Sequence, residues 1–295
     1  METTTRSAST EPTDPSSGVR PPWLSQEEWP YPIRFVRAGD HEVAVTDTGG
    51  DKPVVLLVHT GMWSFVWRDV VAALEDHWRV VSLDAPGTGL SCGTSKVDLD
   101  GAADATDAVV RSLDLRDLVL AFHDLGGTAA LQAAARWPDR VRGLAAINTF
   151  GWEPSGRGFR SMLAVMGSAP MCELHVATGW LTRLSSTKFG VGRNWERSTR
   201  RTFRRGIDRR GRRSFHRYLR SARRHDYAAV ERAVRSLADR PMVTVFGAKN
   251  DPLGFQPQWA ERFDDIVQVE VPDGNHFPMC DDPALVAGAI DARFG

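Results

Sequence analysis

The chain changes character near residue 31. Residues 1–30 are rich in Ser, Thr, Pro and Glu, with prolines at 12, 15, 21 and 22. Such a segment buries too little apolar surface to order itself, so a disordered tail is expected there. From Ile33 onward, short apolar runs alternate with stretches of helical periodicity. The runs at 34–37, 42–47, 54–58, 80–83, 118–122, 143–148, 242–246 and 267–271 read as strands, each bounded by turn-forming residues. Helices fit around 66–74, 102–112, 127–136, 257–263 and 283–294. The first strands are joined by a short hairpin and are therefore antiparallel. The rest alternate with helices, the pattern of an eight-stranded, mostly parallel α/β sheet with helices on both faces. Between Asn148 and Met242 the alternation stops, and the chain reads as helical with no buried-strand run. The expected organisation is a core formed by residues 31–150 and 239–295, with a helical, Arg-rich cap, residues 151–238, inserted after the sixth strand.

Composition narrows the function classes. The 295 residues are 42% hydrophobic and 25% charged, as in ordinary globular enzymes. No apolar run approaches the roughly 18–20 residues of a bilayer span, and no secretory signal pattern opens the chain. Cys92, Cys172 and Cys280 are odd in number and far apart, which argues against a disulfide framework and against a zinc site. A cytoplasmic protein without metal or cofactor is expected, and nothing in the pattern fixes an oligomeric state. Net charge is zero, yet residues 193–224 hold fourteen arginines against Glu196 and Asp208, a local charge of +12. Such a run could meet nucleic acid, an acidic membrane or an anionic substrate tail. It lacks the interleaved aromatics of a single-strand platform. The spacing of Arg197, Arg201, Arg204 and Arg205 suits one helix face, solvated or ion-paired to the acidic remainder, and no nucleic-acid partner is expected.

The most chemically informative segment is Leu118-Val119-Leu120-Ala121-Phe122-His123-Asp124-Leu125-Gly126-Gly127-Thr128-Ala129-Ala130. An apolar run ends in a polar residue, two glycines follow, and an alanine-rich helical stretch continues: a strand, a sharp turn and a helix, the geometry of a nucleophile elbow. Glycine two positions past the nucleophile lets the two backbones approach without a Cβ between them. A carboxylate at the elbow attacks saturated carbon and leaves an alkyl ester, where a serine would leave an acyl ester. Two further polar residues follow apolar strands at the ends where open α/β sheets place their sites: Asp251, after Val243-Thr244-Val245-Phe246, and His276, after Val271-Pro272-Asp273-Gly274-Asn275. The order nucleophile, acid, histidine is that of the elbow-bearing hydrolases.

With these residues in place, the chain resembles the α/β-hydrolase superfamily, in the branch of haloalkane dehalogenases and epoxide hydrolases. The resemblance runs from Ile33 to the C-terminus. It is carried by His59-Thr60-Gly61-Met62-Trp63-Ser64-Phe65-Val66-Trp67-Arg68, by Asp84-Ala85-Pro86-Gly87-Thr88-Gly89, by the elbow and by the His276 segment. It implies a hydrolase acting on a small molecule and water, with Asp124 as nucleophile and His276, oriented by Asp251, activating the water. The developing oxyanion would be held by the N–H of Leu125 and one from the Thr60–Gly61 loop. That loop departs from the family's His-Gly-x-Pro and is one residue shorter. His59 and His123 read as structural.

The resemblance also frames the leaving group. Dehalogenases donate to the halide from a Trp directly after the nucleophile, a position held here by Leu125. A second donor comes from a cap Trp or from an Asn after the His-Gly pair, where this chain has Thr60-Gly61. Trp180 is the expected cap donor, with Trp63 and Trp152 as alternatives. Epoxide hydrolases instead use two cap tyrosines, and only Tyr218 is placed to serve. Dehalogenase-like cleavage of a carbon–halogen bond in a small apolar substrate is the leading expectation, epoxide hydrolysis the alternative, and a non-catalytic ligand-binding scaffold the alternative of another class.

Overall fold

The computed structural model describes residues 20–93, 95–154 and 156–295. Most of the expected tail, residues 1–19, lies outside the described residues. The remainder corrects the expectation of disorder. Leu24 and Trp29 are buried, the Trp29 indole donates to Thr46 Oγ1 at 3.1 Å, and the Arg20 guanidinium donates to the carbonyls of Trp29 and Tyr31. Two large apolar side chains anchor a segment whose average composition argues against order.

Eight strands form one sheet: β1 (Ile33–Ala38), β2 (His41–Asp47), β3 (Val54–Val58), β4 (Arg79–Leu83), β5 (Leu118–His123), β6 (Val141–Ile147), β7 (Met242–Gly247) and β8 (Ile266–Val271). Their spatial order is β1-β2-β4-β3-β5-β6-β7-β8. The β1–β2 and β2–β4 pairs are antiparallel, and all others are parallel. A parallel sheet covered on both faces needs strands apolar on both sides. Accordingly every residue of β5 and of β7 is buried.

Helices α1 (Arg68–Leu74), α2 (Leu99–Ser112) and α3 (Leu125–Ala134) precede the cap. The cap comprises α4 (Arg157–Met166), α5 (Ala169–Thr178), α6 (Trp180–Ser185), α7 (Arg197–Arg205), α8 (Arg209–Ala222) and α9 (Tyr227–Ser236), and α10 (Phe255–Ala260), α11 (Pro278–Asp281) and α12 (Pro283–Phe294) complete the chain. Carboxylates start several of them. Asp98, Asp208 and Asp282 accept from the N–H groups of Gly101, Gly211 and Leu285 at 2.8–2.9 Å, each such cap stabilising its helix by about 1 kcal/mol.

The cap lies between β6 and β7 in the chain and is fastened to the core by polar contacts. Arg193 bridges Asp281 and donates to the Asp273 carbonyl, Arg210 donates to the Gly89 carbonyl, and the Trp195 indole donates to Asp69 at 2.7 Å. Part of the arginine run therefore holds cap to core. Arg197, Arg201, Arg205 and Arg209 are exposed along one side of α7 and the start of α8. Among the described residues, no helix is long and apolar enough to cross a membrane.

Candidate active site

The turn from β5 into α3 forces Asp124 to φ 50°, ψ −137°, a conformation that costs a non-glycine residue about 1–3 kcal/mol. The local sequence supports it. A Cβ on Gly126 would meet the Cα of His59 at 2.8 Å, so only glycine lets α3 start this close to the end of β3. The Asp124 carbonyl is held by the Gly127 N–H at 3.0 Å and the Thr149 hydroxyl at 2.6 Å. The result is a carboxylate at the N-terminus of α3, where the helix dipole favours negative charge. Burial pushes its pKa up, but the hydrogen bond and charge of His276, with His123 and the Leu125 N–H, outweigh burial and leave it below the usual carboxylate value. Asp124 is therefore ionised at neutral pH.

His276, on the loop after β8, brings Nε2 to 3.7 Å from Asp124 Oδ2. Its Nδ1 is hydrogen-bonded at 3.1 Å, and the partner is Asn250 Oδ1. This corrects the expected role of Asp251. The Asp251 carboxylate accepts from the Phe255 N–H at 2.7 Å and the Gln256 N–H at 2.8 Å, satisfying the otherwise unpaired donors at the start of α10. The turn after β7 thus aims Asn250 at the histidine and Asp251 at the helix. Asn148, at the end of β6, accepts from the Gly247 N–H at 2.7 Å and donates to the Asn250 carbonyl at 2.8 Å.

Two more histidines adjoin the site, His59 in the cavity lining and His123 behind it. His123 Nε2 contacts the His276 carbonyl at 2.6 Å, and since a carbonyl only accepts, this nitrogen carries the proton. Burial, then the neighbouring His276 and His59, holds the His123 pKa well below 6.5, so the ring is neutral and its Nδ1 accepts the proton of His59 Nδ1 at 3.1 Å. Burial likewise lowers His59 to about 3. These rings are neutral hydrogen-bonding elements, and His59 also lines the cavity.

Asp124, Asn250 and His276 open into a cavity of about 400 Å³ between the strand ends and the cap. The cap contributes Phe159, Met162, Leu163 and Met166 from α4, Leu181 and Ser185 from α6, and Phe215 and Leu219 from α8. Thr60 and Leu125 line the floor, whereas Gly61, at φ 82°, is absent from the lining. Among the described residues, no Arg, Lys, Trp or Tyr lines this cavity. That corrects the four expected substrate contacts. Trp63 is buried, stacked on Phe65 at 4.8 Å, and its indole N–H is spent on the Phe203 carbonyl. Trp152 packs against Trp259 and under the Arg262 guanidinium at 4.0 Å. Trp180 turns its ring toward His175 while Leu181 takes the cavity side. Tyr218 is fully buried, and its hydroxyl donates to the Pro86 carbonyl at 2.8 Å. Tyr218→Phe should therefore lower stability by about 1–3 kcal/mol, the cost of stranding a buried carbonyl, and leave turnover unaltered. Urea unfolding beside steady-state rates checks this, and lost turnover with unaltered stability would reverse the assignment.

The site residues that sequence reasoning missed are Asn148 and Asn250. Asn148 carried the same signal as Asp124, a polar residue closing an apolar strand. The lining phenylalanines and methionines carried none, because apolar cap residues facing a cavity and facing the core read alike.

An elbow carboxylate, a histidine facing it and a cap-covered apolar cavity on an eight-stranded sheet are the arrangement of an α/β-hydrolase. Residues 55–289 match the family model described as "Alpha/beta hydrolase family". The chain is 27% identical over 282 residues to "Haloalkane dehalogenase 2" of Mycobacterium tuberculosis, covering 90% of this chain and 96% of that protein. It is 30% identical over 125 residues to the "Cis-3-alkyl-4-alkyloxetan-2-one decarboxylase" of Shewanella oneidensis, covering 41% and 39%. The crystal structure of wild-type DBJA superposes with a TM-score of 0.76 at 20% identity, over 88% of this chain and 98% of that one. The protein belongs to the alpha/beta hydrolase family.

Proposed function

We propose that the protein hydrolyses a small, uncharged, apolar substrate by dehalogenase-like chemistry, with Asp124 as the nucleophile. The observation that carries this reading is the ionised Asp124 at the floor of an apolar cavity, 3.7 Å from His276 Nε2. Asp124 Oδ2 attacks an sp³ carbon, forming a carbon–oxygen ester bond as the carbon–halogen bond breaks and the halide leaves with its electron pair. His276 Nε2 then takes a proton from water, and the resulting hydroxide attacks Asp124 Cγ. Collapse releases the alcohol and regenerates the carboxylate, and the histidine's proton goes to solvent. The N–H of Leu125, with the Thr60 loop beside it, faces the oxyanion of that second step, a type of contact worth about 10²–10³ in rate per donor. The lining without Arg or Lys speaks against an anionic substrate tail. A carbon–halogen bond is favoured over an epoxide because ring opening needs an acid on the leaving oxygen, and neither Tyr218 nor Tyr227 lines the cavity. A cytoplasmic location is part of this reading, supported by three free, scattered cysteines.

Trapping the ester tests the proposal. His276→Gln keeps alkylation and stops hydrolysis, so incubation with a panel of haloalkanes and epoxides should add one alkyl mass to the intact protein, located on Asp124 by peptide mapping. A haloalkane adduct has lost its halogen, whereas an epoxide adduct retains all its atoms. A folded variant unlabelled by every haloalkane would sink the carbon–halogen assignment.

A further inference from the structure

We infer that Asn250 is the positioning residue for His276 and that, because it is an amide, hydrolysis of the alkyl-enzyme is the slow half of the reaction, so the protein rests as a covalent adduct during turnover. The inference builds on the Asp124 chemistry proposed above and goes beyond it.

Every orientation in the chain of contacts is fixed by its neighbour. The Gly247 N–H can only donate, so the atom of Asn148 facing it at 2.7 Å is Oδ1. Asn148 Nδ2 therefore faces Asn250, donating to its carbonyl at 2.8 Å and reaching its Oδ1 at 3.4 Å. That leaves Asn250 Oδ1 as the acceptor for His276 Nδ1–H at 3.1 Å. A proton is thus held on Nδ1, and once Asp124 is esterified and no longer pairs with His276, Nε2 is the nitrogen left to take a proton from the entering water. Asn250 sets the tautomer a general base requires.

What Asn250 lacks is charge. Alkylation uses the carboxylate of Asp124 and takes no proton from water, so an amide partner suffices for it. Hydrolysis makes His276 an imidazolium, and an adjacent carboxylate on Nδ1 would stabilise that cation as well as orient it. Here the nearest candidate, Asp251, is held by the Phe255 and Gln256 N–H groups. The groups facing His276 from the packed elements are Asp124 on its Nε2 side, His123 behind the ring at 4.8 Å between centroids, the neutral His59 that lines the same cavity, Phe277 and Asn250. Once Asp124 is esterified, none of these bears a negative charge. The second step therefore loses the electrostatic assistance that the first never needed.

The test uses the full chain and 1-bromobutane. Mixed with excess substrate, the wild-type protein should release a burst of about one bromide per molecule, and intact mass should show most of it butylated at steady state. Asn250→Asp keeps the acceptor for both His276 and Asn148 and adds the missing charge. It should raise the hydrolysis rate roughly 10- to 100-fold, within the range of general-base effects, and abolish the burst. It should also move the acid limb of that step up by about one pH unit, because a carboxylate neighbour raises a histidine pKa. A purely structural Asn250 would not move that limb. An adduct on His276→Gln without one on the wild type overturns this inference and leaves Asp124 as nucleophile. An Asn250→Asp variant with unaltered hydrolysis rate and acid limb overturns it too. No adduct on either protein removes the nucleophile proposal and this inference together.

Discussion

Asp124→Ala and Asp124→Gly are expected to abolish turnover, by at least about 10⁴-fold, since on the mechanism proposed above they remove the covalent nucleophile and with it the whole reaction path. The two variants should nevertheless differ in stability. Asp124 occupies φ 50°, ψ −137°, a region that only glycine enters without strain. Alanine keeps the strain of the elbow and glycine relieves it. Asp124→Gly should thus be more stable than Asp124→Ala by about 1–3 kcal/mol, although glycine's extra unfolded-state entropy offsets up to about 1 kcal/mol of that. Paired urea titrations read the difference, and product formation under identical conditions reads the loss. Equal stabilities would mean the elbow relaxes in the variants. Residual turnover in either would show that Asp124 is not the group that is alkylated.

The legible and illegible parts of this molecule separate along physical lines. Strands such as Leu118–His123 are readable because a doubly covered parallel strand must be apolar throughout. The elbow is readable because its geometry is local: Gly126 reports a backbone approach that no other residue permits. The partner of His276 was not readable. Asn250 and Asp251 are consecutive, and which one turns toward the histidine depends on where α10 starts and on its need for acceptors. Chemical reasoning favours the carboxylate, whereas the helix start claims it. The cap tryptophans failed for a related reason. Helical spacing fixes which residues share a face but leaves open whether that face meets the cavity, and Leu181 instead of Trp180 meets it. In residues 20–30, composition averages concealed Leu24 and Trp29, two side chains sufficient to dock the segment.

Acid should unfold this protein earlier than its carboxylates alone would require. His59 and His175 are buried, and burial lowers their pKa values to about 3 and about 4 from 6.5. His123, His216 and His225 are lowered as well, burial again the leading cause. The cap pair shows why protonation is resisted. His216 Nδ1 donates to the Met166 carbonyl, leaving its Nε2 to accept from His175 Nδ1 at 3.0 Å. His175 Nε2 in turn accepts from Thr182, at 2.9 Å from its hydroxyl. Every ring nitrogen is matched in the neutral state; a proton added to His216 Nε2 would face the His175 Nδ1–H, and one added to His175 Nε2 would face the Thr182 N–H at 3.3 Å. Between its folded and unfolded pKa values such a histidine binds more protons unfolded than folded, so stability is present above about pH 6.5 and falls as pH drops through the window. Each loses about 1.4 kcal/mol per pH unit, which for His59 and His175 amounts to roughly 3 kcal/mol apiece by pH 4. Burial raises Asp84 and Asp281, and their protonation returns part of this as pH falls. The net loss is still large beside a typical total of about 5–15 kcal/mol. Urea midpoints measured from pH 7.5 to 4.5 should therefore drop steeply below pH 6.5. His175→Gln should flatten the slope by close to one proton's worth, and an unaltered slope would show that this histidine titrates normally.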